Sequence, residues 1–522
     1  MLSGFSQNSA VEATFQNPIL RGFYPDPSIC RVGDDYYMAN SSFSWFPAVP
    51  IFHSKDLVNW EQIGFALDRP EQLTLKEGLK ASWGIFAPTL RYHDGLFYMI
   101  TTCVYCGGNF YVTAKDPAGP WSNPVWLDTP GIDPTLFWDD DGSCWYVGAN
   151  NISGKREWEG QNGVFVQKFD LESKKLIGTP TQITFGHATN AVWGEGPHIY
   201  KVDGRYMLMI AEGGTSYNHA ITVFECDSIN GKYTPSQINP VLTHRHLGHD
   251  YPIFAVGHCD FIQTQNNEWW AVLLAVRTCD GMNLLGRETY LVPMEFENGW
   301  PVFNRGIGKV QFEEKRPNLP LSPVKQYPVR DEFDSGKLAL KWSYLLTPTE
   351  EWHKISNGKV VLNVRPQMMT KLEQPSLLVQ RITEFTYSAF TKLEFNPAEN
   401  EEAGFIAMYN NLRNFRLVKT LEKGVSVVKL YRVKEGAEEL VSTQPVENGP
   451  LVLGVKANRL EYQFYFGKDE NQLHKIGDVQ EATVNASQSG IDFTGPMVGI
   501  YASSNGKKST NKASFDWFEY RD

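Results

Sequence analysis

Asp26, Asp133 and Glu195 each stand eight residues before a turn residue that opens an aromatic strand: Asp34 in GDDYYMANS, Asp141 in DDGSCWYVGA and Asp203 in VDGRYMLMIA. The same count from Asp94 in HDGLFYMITT reaches Phe86, and from Asn266 in QNNEWWAVLL it reaches His258. A lone Asp before Pro is ordinarily a turn residue. Three carboxylates at matching positions of a repeat are harder to explain that way, because like charges brought together cost energy that folding has no reason to spend. Two chemistries use such a group. Oxygen ligands suit a hard cation such as calcium. Alternatively, one carboxylic acid protonates a glycosidic oxygen while a carboxylate activates water or attacks directly, and the third raises the pKa of the acid. Phe43, Trp45, Trp83 and Phe86 lie close by in sequence and would hold the apolar face of a sugar.

The elements that must position these side chains are β-hairpins. Asp-Gly and Asn-Asn supply the left-handed backbone of a tight turn, and the aromatic and β-branched residues that follow favour strand. Each hairpin is preceded by a strand (DPSICRV, APTLRYH, DPTLFWD, GPHIYKV and HCDFIQT) and followed by another (HSKDLVNW, TAKDPAGPW, KFDLESKKL, ECDSINGKY and EFENGWP). Five such units predict an all-β fold, a five-bladed β-propeller over residues 16–315. The first strand of a blade lines the central channel, so the five positions should converge at one mouth of the axis. Residues 316–330 are rich in proline and predict a linker. Alternating stretches such as KVVLNVRP, VSVVKLYRV and LEYQFYFG predict a C-terminal antiparallel β-sandwich over 331–522.

Composition narrows the function. The net charge is −11 without a basic patch, so a nucleic acid or an acidic membrane surface is an unsuitable partner, and no apolar run is long enough to span a bilayer. Aromatics at 13% suit both strand packing and sugar stacking. Cys103 and Cys106 form C-x-x-C without a second pair for zinc, and they read as strand packing. H-R-H-L-G-H at 244–249 reads as a loop at the pocket rim rather than a metal site. The opening residues MLSGFSQNSAVEA lack a charged start and an apolar core. The expectation is a periplasmic or secreted protein whose signal has been removed, with a cytoplasmic protein as the alternative.

The segments NPILRGFYPDPSI, GIDPTLF, EGPHIY, AEGGTSYNH, GHCDF and LGRET resemble glycoside hydrolase family 43, the five-bladed-propeller β-xylosidases and α-L-arabinofuranosidases. The resemblance extends through IDFTG, VGIYA and FDWFEY of the C-terminal region, as in the two-domain members. It implies an inverting mechanism, with Asp26 as general base, Glu195 as general acid and Asp133 as the carboxylate that tunes and orients the acid. Inversion needs base and acid roughly 6.5–9.5 Å apart, with room for a water. The resemblance further implies that Arg287 reaches the carboxylates and sugar hydroxyls, that Phe493 crosses from the sandwich to wall the pocket, and that His258 lies near the axis beside a calcium or its waters. A required cofactor is not expected.

The chain departs from the family pattern in two places. Ile85-Phe86-Ala87-Pro88-Thr89 stands where two-domain xylosidases carry Ile-Trp-Ala-Pro-Asp, and Asn150–Gln161 lacks their tryptophan-bearing strand. Both should border the sugar, which tilts the expectation toward α-L-arabinofuranosidase over β-D-xylosidase or dual activity. The expected partner is an oligosaccharide or polysaccharide cut one terminal pentose at a time. The reading from a different class is a non-catalytic carbohydrate-binding propeller.

Overall fold

The computed structural model describes residues 13–487 and 492–522. The opening residues read above for a signal lie outside them, Ala13 excepted. Strands dominate, and the one helical turn among the described residues is a short 3-10 segment, Ala482–Asn485. No helix there is long and apolar enough to cross a membrane.

Five antiparallel sheets of consecutive strands form the blades of a propeller. Their first strands are Ser28–Val32, Thr89–His93, Ile132–Trp138, Glu195–Val202 and Ile253–Gln263. Each pairs with its successor through the turn read from the sequence, as in Val32 opposite Asp35 and Val202 opposite Arg205. In blade 2 the first strand is interrupted. Gly84–Ile85 and Thr89–His93 both pair with Leu96–Val104, and Phe86 to Pro88 bulge inward between them. A separate two-stranded clasp, Thr14–Gln16 on Glu313–Lys315, ties the start of the propeller to its end.

A buried polar rivet binds four blades at the axis. Asp260 of blade 5 accepts hydrogen bonds from Ser28 Oγ (2.7 Å), Ile29 N (3.0 Å), Tyr200 Oη (2.6 Å) and Arg91 Nη1 (2.7 Å). Burial alone would raise its pKa. Arg91, His198 and the donated hydrogen bonds outweigh that and hold it far below the usual carboxylate range. A buried charge satisfied on every side in this way fixes the blades' relative register.

The segment expected as a linker is tied down. Arg316 Nη2 and Ser322 N both donate to Asp56 Oδ2 at 2.9 Å, and Asn318 N donates to Glu268. It therefore runs along the propeller. Beyond it an eight-stranded sheet faces a six-stranded one, with Trp352, Phe405, Phe415, Phe464 and Phe515 filling the space between.

The two bodies share a core. Phe23, Phe43 and Trp45 of the propeller cluster with Leu377, Met408, Met497 and Tyr501 of the sandwich. Trp45–Phe46 pairs in strand fashion with Tyr344–Leu345, and Arg381 Nε donates to Phe23 O at 2.6 Å. Apolar continuity plus backbone pairing makes the interface resemble a domain interior more than a hinge. The pair Cys103 and Cys106, read from the sequence as strand packing, is joined by a disulfide. The two cysteines flank the turn after Leu96–Val104, close enough to bond.

Candidate active site

One mouth of the propeller axis holds a pocket. Its lining comprises Asp26, Phe43, Phe86, Ala87, Ile132, Asp133, Glu195, Thr215, His258, Arg287 and Phe493. All five positions found by counting back from the turns meet there. They are not all equivalent, however. Asp26 and Asp133 precede a proline and take left-handed φ values of 51° and 53°. In blade 4 the matching residue before proline is Gly196, at φ 59°, and Glu195 comes one residue earlier. The count was taken from the second turn residue in blade 1 and the first in blade 4, which hides a one-residue shift. The pairing register breaks at the same place, between Ile132 and Thr135 and between Glu195 and His198. Such bulges re-aim a side chain beside functional sites. Residues before proline favour extended backbone, so a positive φ at Asp26 and Asp133 is strain of about 1–3 kcal/mol each, held in place by the surrounding blades.

Asp26 is buried, and both of its oxygens are held. Arg287 Nη1 donates to Oδ1 at 2.6 Å and Ser41 Oγ donates to Oδ2 at 2.5 Å. Each carboxylate oxygen has a second lone pair free to accept a proton from water. Arg287 also donates from Nη2 to the carbonyl of Phe493 at 3.1 Å. Its Nε is buried without a hydrogen-bond partner among the described residues, which leaves a donor for a ligand or water. Asp133 accepts from Gly196 N at 3.2 Å.

Electrostatics separate the three acids. Burial first, then the charge of Asp26, push Glu195 up to about 7, while Arg287 and a hydrogen bond with Thr215 oppose the rise. Asp133 is raised well above the usual carboxylate range by burial, then by Glu195 and Asp26. Asp133 and Glu195 interact as neighbouring acids, since the charge of Glu195 is among the causes that raise Asp133.

Aromatic rings form the apolar wall. The ring centroids of Phe43 and Phe86 lie 5.2 Å apart, and Phe493 is 6.0 Å from each. Phe493 comes from the sandwich and is anchored by donating its N–H to Ser82 Oγ at 3.1 Å. The guanidinium of Arg287 sits 5.5 Å from the Phe43 and Phe493 ring centres. Two expected sugar contacts are elsewhere. Trp83 lines a different cavity and lies tilted against Tyr105, ring centroids 4.1 Å apart, because Gly84 and Ile85 bring only Phe86 to the axis. Trp45 is fully buried between the domains.

His258 lies beside the carboxylates with its ring against Gly196, where an added Cβ would come within 2.8 Å. Burial lowers its pKa, with Asp26 partly offsetting the effect. Calcium needs six to eight oxygen ligands. Around His258 the polar partners include the Arg287 guanidinium, and no group of three or more His, Cys, Asp or Glu among the described residues could hold a metal. The donor set does not fit the calcium suggested for this position. His244 of the H-R-H-L-G-H segment is buried with both ring nitrogens occupied, by Ile253 O and Val310 N. Ser41, Ala87, Ile132 and Thr215 were missed from the sequence, although Thr215 stands in the quoted AEGGTSYNH.

The chain is similar to known proteins over nearly its whole length. Residues 15–301 match the model for glycosyl hydrolases family 43, and 330–521 match the beta xylosidase C-terminal Concanavalin A-like domain. A Butyrivibrio fibrisolvens protein named xylosidase/arabinosidase is 41% identical, covering 96% of this chain and 98% of its own length. A non-reducing end alpha-L-arabinofuranosidase of Bacteroides ovatus is 37% identical over 98% of this chain and 96% of its own. Among solved structures, a xylan beta-1,4-xylosidase from Bacillus halodurans superposes with a TM-score of 0.91 at 33% identity, covering 97% of this chain and all of its own.

Proposed function

The chain belongs to glycosyl hydrolases family 43, and from that premise we propose that it releases single terminal pentoses from hemicellulose chains or side chains with inversion of configuration. It is a glycoside hydrolase; the substrate, stereochemistry and residue roles are the proposal. Asp26 is the base. It takes a proton from a water whose oxygen bonds to the anomeric carbon. As that bond forms, the bond from the anomeric carbon to the leaving oxygen breaks, and Glu195 gives its proton to that oxygen. One water is consumed, and exchange with solvent resets both carboxyl groups. A Glu pushed to about 7 is suited to donate near neutrality. Asp133 and the Gly196 N–H it accepts from keep the Glu195 backbone in place, and Arg287 orients Asp26.

The observation that carries the reading is the wall supplied by Phe493. A pocket walled on one side by a residue of the second domain leaves no open cleft there for a chain to run through, which favours cleavage at a chain end. The preference for α-L-arabinofuranosyl over β-D-xylosyl draws on Phe86 in place of a tryptophan and on two relatives whose names include arabinose release. Dual activity is the second reading, favoured by the double name of the Butyrivibrio protein. Measuring kcat/KM on 4-nitrophenyl α-L-arabinofuranoside and 4-nitrophenyl β-D-xyloside decides between them. A ratio well above one supports the first reading, comparable values the second, and a ratio well below one overturns the preference.

A further inference from the structure

We propose that Trp193 is the platform for the sugar beyond the scissile bond, and therefore a determinant of which leaving group the enzyme accepts. The inference rests on the assignment of Glu195 as acid. An acid that protonates the leaving oxygen must stand on the leaving-group side of the pocket, so the group beyond that oxygen passes the rim of blade 4. Trp193 is on that rim, two residues before Glu195.

Its conformation is costly and tightly held. Trp193 is 45% exposed, and its backbone takes φ 57°, uncommon for a bulky residue. Four hydrogen bonds from neighbouring segments impose it. Trp193 N donates to Gly160 O (2.9 Å), Gly213 N to Val192 O (2.9 Å), Asn162 Nδ2 to Gly194 O (2.8 Å) and Trp158 Nε1 to Ala191 O (2.8 Å). These bonds fix where the side chain stands.

Two glycines make the seat. A Cβ at Gly160 would lie 3.1 Å from Trp193 Cε2, and one at Gly214 would lie 3.0 Å from Cδ1. Gly214 is followed by Thr215, which lines the pocket. Trp193 thus lies between Gly160 and Gly214, the second of them next to pocket-lining Thr215, with much of the residue open to solvent. A flat apolar surface beside the leaving group fits the C–H face of a sugar ring. The rival platform is the Trp83–Tyr105 pair, with Tyr105 74% exposed. It adjoins Ser82, which accepts from the Phe493 N–H, and belongs to blade 2 rather than to the blade that carries the acid.

The test compares kcat/KM on two substrates carrying the same pentose, one linked to xylobiose and one as the methyl glycoside. The Trp193→Ala variant should lose about tenfold or more on the oligosaccharide while staying within about twofold on the methyl glycoside. Trp193→Phe should recover most of the loss, and Trp193→Leu, apolar but without a flat face, should not. Thermal unfolding of each variant reports folding independently. Equal losses on both substrates, no loss on either, or a selective loss in Tyr105→Ala and not in Trp193→Ala would overturn the inference alone. A wild-type enzyme that cleaves neither substrate would overturn the proposed function and this inference with it.

Discussion

Arg287 and Asp26, 261 residues apart, form a buried ion pair at 2.6 Å, and the same guanidinium reaches the Phe493 carbonyl of the sandwich at 3.1 Å. One side chain thus couples the proposed base to the wall that closes the pocket. A lysine ammonium is a point donor and cannot serve both directions in the plane of the guanidinium. Arg287→Lys is expected to lower kcat/KM by about 100-fold while retaining the fold. Arg287→Ala leaves Asp26 buried without its counter-charge and should cost about 3–5 kcal/mol of stability. Steady-state kinetics and denaturant unfolding of the two variants check both expectations.

Glu195 predicts that activity and its contribution to stability both fall as pH rises. The acid must be protonated, so kcat/KM should fall about tenfold per pH unit above a pKa of about 7. Its ordinary value is 4.5, so between 4.5 and 7 the folded state binds more protons than the unfolded one. Stability contributed by this group therefore falls as pH rises through that window, and the penalty is complete above it. Glu195→Gln removes the ionisation. It should be more stable than the wild type at pH 8 by ~1–3 kcal/mol and equal to it at pH 4, as read by urea unfolding.

Gly196 is where the blade-4 backbone turns Glu195 toward the axis. An alanine there would bring Cβ within 2.8 Å of the His258 ring and would strain a φ of 59°. Gly196→Ala is expected to displace Glu195 and the N–H that holds Asp133, lowering kcat by about 10–100-fold with KM little changed. A second change, His258→Ala, should restore part of kcat by clearing the clash. Kinetics of the single and double variants measure it.

Much of this site was legible in the sequence because a repeat fixes phase. The turn residues Asp34, Asp94, Asp141, Asp203 and Asn266 located Asp26, Phe86, Asp133, Glu195 and His258, and all five line one pocket. The count missed the one-residue shift in blade 4, since two-residue turns look alike whichever residue is counted from. Arg287 and Phe493 were visible only through family resemblance, because neither lies on a first strand. Trp83 was misplaced, as sequence proximity to Phe86 does not reveal that the strand is interrupted there. The rivet at Asp260 went unread too. Its partners Ser28, Arg91 and Tyr200 come from three other blades, and no local pattern joins them.

Asp26 acting through water, opposite Glu195, is the centre of the account, and the configuration of the first product tests it most directly. Proton NMR of the released pentose, recorded before mutarotation equilibrates the anomers, reports that configuration. The account predicts inversion, a β-anomer first from an α-L-arabinofuranoside or an α-anomer first from a β-D-xyloside. First appearance of the retained anomer would contradict it and make Asp26 a nucleophile bonded to the sugar.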